Sequence, residues 1–183
     1  MWPIIDEHYE KATFPNHLLS GLGEIGAFGP YIPEEYGGPG LDQISYGLIM
    51  QELERCDSGL RSTASVQSSL VMYPIWKYGT EEQKQKYLPG LISGQAIGAL
   101  AMSETGAGSD VVSMRLQAEK QGDSYVLNGT KMWITNGPDA HVLVVYAKTG
   151  KEQGKHGITA FLIERGMPGF TTAQKLDKLG MRG

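Results

Sequence analysis

The chain has 183 residues and a formal net charge of −4, long enough to bury a core as one large domain or two small ones without disulfide or metal staples. Its single cysteine, Cys56, excludes an intrachain disulfide and a Cys-rich zinc site and reads as a small apolar filler. Charges of both signs are scattered, which excludes the basic face of a nucleic-acid binder. No apolar run reaches the roughly 20 residues of a membrane span, and "MWPIIDEHYEK" lacks the basic start and apolar stretch of a secretory signal, so a soluble, intracellular-type protein is expected.

Residues 1–98 read as helical. In "PNHLLSGLGEIGAF" the apolar Leu18, Leu22 and Ile25 fall at i, i+4 and i+7. In "LDQISYGLIMQELERC" Ile44, Leu48, Ile49 and Leu53 repeat the pattern, so each helix is expected to bury one face. Between them "GPYIPEEYGGPG" concentrates Pro and Gly and reads as an irregular surface loop. "GTEEQKQKYLPGL" opens with Thr80 as N-cap and Gln83 three residues on, a capping box. Glu81 and Glu82 suit the positive end of the helix dipole, and Pro89 is expected to stop the helix.

From residue 99 to 183 the period becomes that of strands. "SYVLNGTKMWIT" holds Asn128-Gly129 between two β-prone runs, a hairpin signal. "AHVLVVYAKT" and "GITAFLIER" are β-branched runs joined by the polar loop "GKEQGKHG". The fold class expected is α+β: an N-terminal helical domain, then an antiparallel sheet or barrel-like domain.

At the seam lies "LAMSETGAGSDVVSM". Its glycines admit close approach to a planar or phosphorylated ligand, and its hydroxyls and free backbone N–H groups can donate hydrogen bonds. It is neither a Walker loop nor a Rossmann fingerprint, and a tight turn whose Ser and Asp satisfy their own backbone explains it equally well. "WIT", Trp133 to Thr135, is by itself more often core than a cofactor wall. His8, His17, His141 and His156 lack metal-ligand spacing, and no metal site is expected. Ser68-Ser69 lacks the setting of a hydrolase nucleophile.

Taken together, "MSETGAGSD", "LNGTKMWITNG", "GITAFLIERGMPGF" and "KLGMRG" resemble the acyl-CoA dehydrogenase family, flavoenzymes that desaturate acyl thioesters, and the likeness runs over essentially the whole chain. The resemblance implies FAD as cofactor and an acyl-CoA thioester as substrate. It also implies an electron-transfer flavoprotein as electron acceptor and a homotetramer in the complete enzyme, in bacterial cytoplasm or mitochondrial matrix. By the same resemblance Leu100, Ala101, Met102 and Ser103 line the flavin pyrimidine edge. Ser109 faces both flavin and pantetheine arm, Trp133 and Ile134 lie along the rings, and Thr135 reaches the flavin nitrogen that receives hydride. Glu104 and Asp110 read as structural, since an acid beside a reduced flavin opposes its negative charge. Thr105 stands where other members carry Pro.

"ELERCDSGLRSTASVQSSLVMYPI" resembles the glutaryl-CoA dehydrogenase branch, in which Arg61-Ser62 falls where the distal carboxylate is held. A guanidinium can clamp a carboxylate bidentately, although pairing of Arg61 with Asp57 or Glu54 is the competing reading. Residues 102–183 resemble the isovaleryl-CoA dehydrogenase branch instead. Glutaryl-CoA is thus the first expected substrate and a short branched acyl-CoA the next. The family's catalytic glutamate belongs to a C-terminal helical bundle with no counterpart in these residues, so the catalytic base is unassigned. The chain is expected to be a fragment, clipped also at its start, that binds FAD poorly and has no activity alone. An acyl-CoA oxidase and a non-catalytic flavin or acyl-CoA binding module are the other readings.

Overall fold

The computed structural model describes residues 2–150 and 154–181. The helical half begins with α1 (Trp2–Glu10), α2 (Leu18–Glu24) and α3 (Gln43–Cys56). Next, α4 (Ser58–Ser65), a π-helical stretch (Val66–Met72) and α5 (Tyr73–Tyr78) follow one another without a break, and α6 (Glu81–Ile92) closes the half. Three helix starts are set by side chains. Asp42 accepts from the Ser45 N–H at 2.8 Å and Asp57 from the Leu60 N–H at 2.7 Å. At α6 the capping box forms as expected: Gln83 N–H donates to Thr80 Oγ1 at 3.3 Å and Thr80 N–H to Gln83 Oε1 at 2.9 Å.

Three expectations for this half are corrected. Pro89 lies inside α6, which continues to Ile92. A proline removes one N–H without ending a helix whose next turn is held by packing, and here Leu91 is fully buried and Ile92 nearly so. The segment "GPYIPEEYGGPG" is irregular but not superficial, since Gly29, Pro30, Tyr31 and Ile32 are all buried. Its polar groups are met from inside: Gly29 N–H donates to Ser68 Oγ at 2.9 Å and Tyr31 Oη–H to the Ser68 carbonyl at 2.8 Å. Lastly, Ile25, Ile44 and Leu48 are 75, 74 and 58% exposed. Periodicity reveals that a helix face is apolar, not that this chain covers it. The face of α3 that meets the core carries Tyr46, Ile49, Met50 and Leu53 instead, and of these Leu53 is buried.

In the second half β1 (Gly98–Ala101) runs parallel to β4 (Val142–Lys148), with Gly98 opposite Val142 and Ala101 opposite Val145. On the other edge of β4, β5 (Ile158–Glu164) is antiparallel, Val142 facing Glu164. Beyond the end of β1, β2 (Gln117–Gln121) joins β4 in parallel at Gln117–Lys148 and pairs antiparallel with β3 (Ser124–Asn128). The α+β class stands, but the sheet is mixed rather than antiparallel throughout. The stretch from β1 to β4 is long enough for the crossover a parallel pair requires.

The hairpin also differs from expectation. Its turn is Gly122-Asp123, with Gly122 at φ +61°, while Asn128-Gly129 merely ends β3. Gly129 is required there by proximity, because a Cβ would lie 2.9 Å from Leu116 Cα. The loop expected at 150–157 lies partly outside the described residues, and Gly154–Gly157 form a 3-10 turn.

The helical core gathers Leu22, Phe28, Ile32, Leu60, Met72 and Leu88 and takes in Val142 and Val144 from the sheet. A second cluster, with Ala99, Leu116, Leu143 and Ala147, lies on the sheet's other face. The two halves are joined by the buried Gln67. Its Nε2 donates to the carbonyls of Leu91 and Ala96, both at 2.8 Å, and its Oε1 accepts from Gly98 N–H at 2.7 Å.

Candidate functional site

At the end of β1 the chain makes a tight turn. Glu104 N–H donates to the Ala107 carbonyl at 3.0 Å and Ala107 N–H to the Glu104 carbonyl at 3.1 Å, leaving Thr105-Gly106 at the tip. Neither Gly106 nor Gly108 has a positive φ, and a Cβ on either would meet nothing within 4 Å. No constraint within the described residues demands glycine at these positions, and the space beside the backbone is open to another molecule.

The segment Lys131–Thr135 lies directly against this turn. Met132 N–H donates to the Ser103 carbonyl at 2.9 Å, and Lys131 Nζ donates to the Met102 carbonyl at 2.9 Å. Leu100, Met102 and Ser103, half-buried, and Ala101, buried, are thereby brought beside Trp133, Ile134 and Thr135. The run "KMWIT" is not the strand its composition suggests. Trp133 has φ +62° and Asn136 φ +64°, which break an extended course. A left-handed conformation costs an L-residue roughly 1–2 kcal/mol, and an aromatic residue rarely bears it. Trp133 bears it while 60% exposed. A strained, uncovered tryptophan is neither core nor ordinary surface.

The hydroxyls point the same way. Among the described residues no side-chain hydrogen bond is made by Ser103, Ser109 or Thr135, and Ser103 and Thr135 are half-buried. β1 is an edge strand of the sheet. Gly98 uses its outer edge for Gln67 and for Asn136 Nδ2, which donates to the Gly98 carbonyl at 3.1 Å. By strand alternation Leu100 presents its N–H and C=O on that same edge.

Glu104 is structural, as its position suggests. Its carboxylate accepts from Arg115 N–H at 2.6 Å and from Leu116 N–H at 3.0 Å, and it pairs with Lys131 Nζ at 2.9 Å. Desolvation pushes this carboxyl up, but the Arg115 N–H, Lys131 and the Leu116 N–H together outweigh it and hold Glu104 below the usual carboxylate value. Asp110 accepts a hydrogen bond from the Ser113 hydroxyl.

Arg61 and Ser62 stand half-buried on α4. Arg61 Nε donates to Glu54 Oε2 at 2.5 Å, and the Ser58 hydroxyl donates to the same carboxylate at 2.6 Å. The Arg61 contact foremost lowers the Glu54 carboxyl. The guanidinium therefore already has an anionic partner.

Sequence reasoning passed over Lys131, Asn136 and Gln67. Asn136 joins three elements, since Thr63 Oγ1–H donates to its Oδ1 at 3.2 Å while its Nδ2 holds Gly98. That links α4, at the residue directly after Arg61-Ser62, to the segment carrying Trp133 and Thr135. The one available signal was Asn before Gly137, a residue type that tolerates φ > 0. Among the described residues no three His, Cys, Asp or Glu side chains gather as a metal site, and no helix is long and apolar enough to cross a membrane.

The mixed sheet beside a helical half, with this turn at the junction, is the arrangement of a known family. Residues 1–95 match the N-terminal domain, and residues 99–183 the middle domain, of acyl-CoA dehydrogenase; the chain belongs to that family. It is 55% identical over 164 residues to mitochondrial isovaleryl-CoA dehydrogenase of Pongo abelii, a match covering 88% of this chain and 39% of that protein. A glutaryl-CoA dehydrogenase from Mycobacterium smegmatis, solved in complex with FADH2, superposes with TM-score 0.93 at 43% identity, over 100% of this chain and 46% of that one. A chain from a study of the electron transferring flavoprotein of Acidaminococcus fermentans superposes with TM-score 0.96 at 44% identity, over 100% of this chain and 48% of that one. The chain thus spans less than half the length of these relatives.

Proposed function

We propose that these residues form the helical and β portions of a flavin-dependent acyl-CoA dehydrogenase acting on a short branched acyl-CoA. The observation that carries this reading is the hydrogen bond from Met132 N–H to the Ser103 carbonyl. It sets an exposed tryptophan and two unpartnered, half-buried hydroxyls on one wall. A flat ring system with polar edges fits such a wall: Trp133 and Ile134 lie along its face, Ser103, Thr135 and the outer edge of Leu100 meet its polar atoms, and Ala101 lies beside them. The opening beside Gly106 and Gly108, with the exposed Ser109, suits the pantetheine arm.

When bound, FAD supplies the hydride acceptor for the thioester's β carbon. The residues of this chain bind and orient it, and the uncharged donors Ser103 and Thr135 favour the negative charge of its reduced form. The α proton needs a base, and Glu104 is unsuited to that task, being committed to Lys131 and two backbone N–H groups and held ionised. We assign no catalytic residue within these 183 and expect no dehydrogenation by them alone.

The branched substrate is favoured because the Arg61 guanidinium is neutralised by Glu54 and because of the identity to isovaleryl-CoA dehydrogenase. A glutaryl-type pocket is the second reading, favoured by the half-buried place of Arg61-Ser62 on the helix that Thr63 ties to Asn136. An electron-transfer flavoprotein as acceptor, a homotetrameric complete enzyme and a mitochondrial-matrix or bacterial-cytoplasmic setting complete the proposal. They rest on the family resemblance, the mitochondrial relative and the bacterial sources of the two structures.

Two measurements test it. FAD titrated into the chain, followed by quenching of flavin fluorescence, is expected to show weak binding that Trp133→Leu and Thr135→Ala each reduce by about tenfold. Equal affinity in all three proteins sinks the wall. In the complete enzyme, Arg61→Ala is expected to leave the preference between isovaleryl-CoA and glutaryl-CoA unchanged. A selective loss of glutaryl-CoA turnover establishes the second reading instead.

A further inference from the structure

The charged pair behind the wall has a role of its own. Lys131 and Glu104 retain only 7 and 9% side-chain exposure at 2.9 Å separation. Each lies one or two residues from a group assigned to the wall: Glu104 follows Ser103, and Lys131 precedes Trp133 by two. The hydrogen bonds they make are directional and reach several backbone segments. Lys131 Nζ donates to the Met102 carbonyl as well as to Glu104, with Met114 Sδ at 3.7 Å, and Glu104 gathers the Arg115 and Leu116 N–H groups.

We infer that Glu104 and Lys131 are positioning residues whose buried ion pair holds the Ser103–Ser109 turn and the Trp133–Thr135 segment in register as one wall. This rests on the flavin reading above and deepens it. The backbone tie between the two segments, Met132 N–H to Ser103, is flanked on both strands of chain by the pair. Without the pair, the left-handed strain at Trp133 is opposed by the single Met132 hydrogen bond and the Asn136 end of its segment, so the segment relaxes away from the turn. A buried ion pair is a poor source of net stability compared with apolar groups of similar volume, but it fixes geometry in a way apolar groups do not.

Residue-resolved hydrogen exchange on the 183-residue chain separates positioning from stability. The readout is the exchange rate of the Met132 amide divided by that of the Val144 amide in β4, a ratio that global destabilisation alone leaves unchanged or lowers, never raises. In Lys131→Met this ratio is expected to rise about tenfold. In the double variant Glu104→Gln/Lys131→Met, where no unpaired charge is left buried, stability to urea is expected to recover towards wild type while the ratio stays raised. A ratio that returns to wild type along with stability, or never moves, overturns the assignment. A second arm adds FAD to the wild-type chain and follows the Met132 amide. Slowing supports the flavin reading, and its absence sinks that reading, while the ligand-free ratios still decide the pair.

Discussion

The helix–sheet junction around Gln67 and the wall around Trp133 lie along the same outer edge of β1 yet obey opposite rules. At the junction Gln67 and Ser68 are 2 and 0% exposed, and Gln67 satisfies two carbonyls and one N–H. At the wall, the Ser103 and Thr135 hydroxyls have no partner among the described residues, a large aromatic is uncovered and the backbone is strained. Buried polar groups are normally satisfied within the fold, and strain persists only where something over-determines it. The junction is therefore finished by this chain, whereas the wall is left open, which is the contrast on which the proposed flavin site rests.

Substitutions on the two sides sharpen that contrast. The largest effect is expected at the junction. Gln67→Leu strands the Ala96 carbonyl and the Gly98 N–H, each worth about 1–3 kcal/mol when left unsatisfied, and leaves the Leu91 carbonyl only the Gly94 N–H, so a loss of about 4 kcal/mol is expected in urea denaturation. A loss under about 1 kcal/mol breaks the comparison from that side. Next comes Lys131→Met, expected to cost about 3 kcal/mol near neutral pH because it leaves Glu104 buried and uncompensated. The folded-state value of Glu104 lies below its unfolded value, so its contribution is present above the unfolded value and disappears as pH falls through the folded one. The variant's deficit is therefore expected to shrink on the acid side, as urea midpoints at neutral and acid pH would record. The smallest effect has the reverse sign: Trp133→Gly relieves the left-handed strain and is expected to stabilise the apo chain by about 0.5–1 kcal/mol while losing FAD binding. A destabilised Trp133→Gly protein would place the tryptophan among the core-forming residues instead.

The legible parts of the sequence were those governed by local rules. The Thr80–Gln83 box and the β-branched runs of β4 and β5 depend on a few adjacent residues, and they form where expected. Four motifs in order likewise marked the family, because their spacing carries information no single loop does. What misled were readings that needed a distant partner. Asn128-Gly129 looks like a turn, but Leu116 dictates why glycine stands there. Ile44 and Leu48 look like core, but no described residue of this chain covers them. The segment "GPYIPEEYGGPG" looks like surface, but Ser68 draws it inside.

By itself the sequence determined the two-part α+β organisation, the membership in the acyl-CoA dehydrogenase family and the structural use of Glu104. Caps, period and composition act within a few residues, and that is where sequence is read directly. Tertiary structure alone decided that β1 runs parallel to β4, that Arg61 is paired with Glu54, and that Lys131 and Asn136 pin the two ends of the Trp133 segment. Each of these joins groups that meet only when the chain has closed on itself, and no local propensity encodes which of several possible partners a charge or a carboxamide will find.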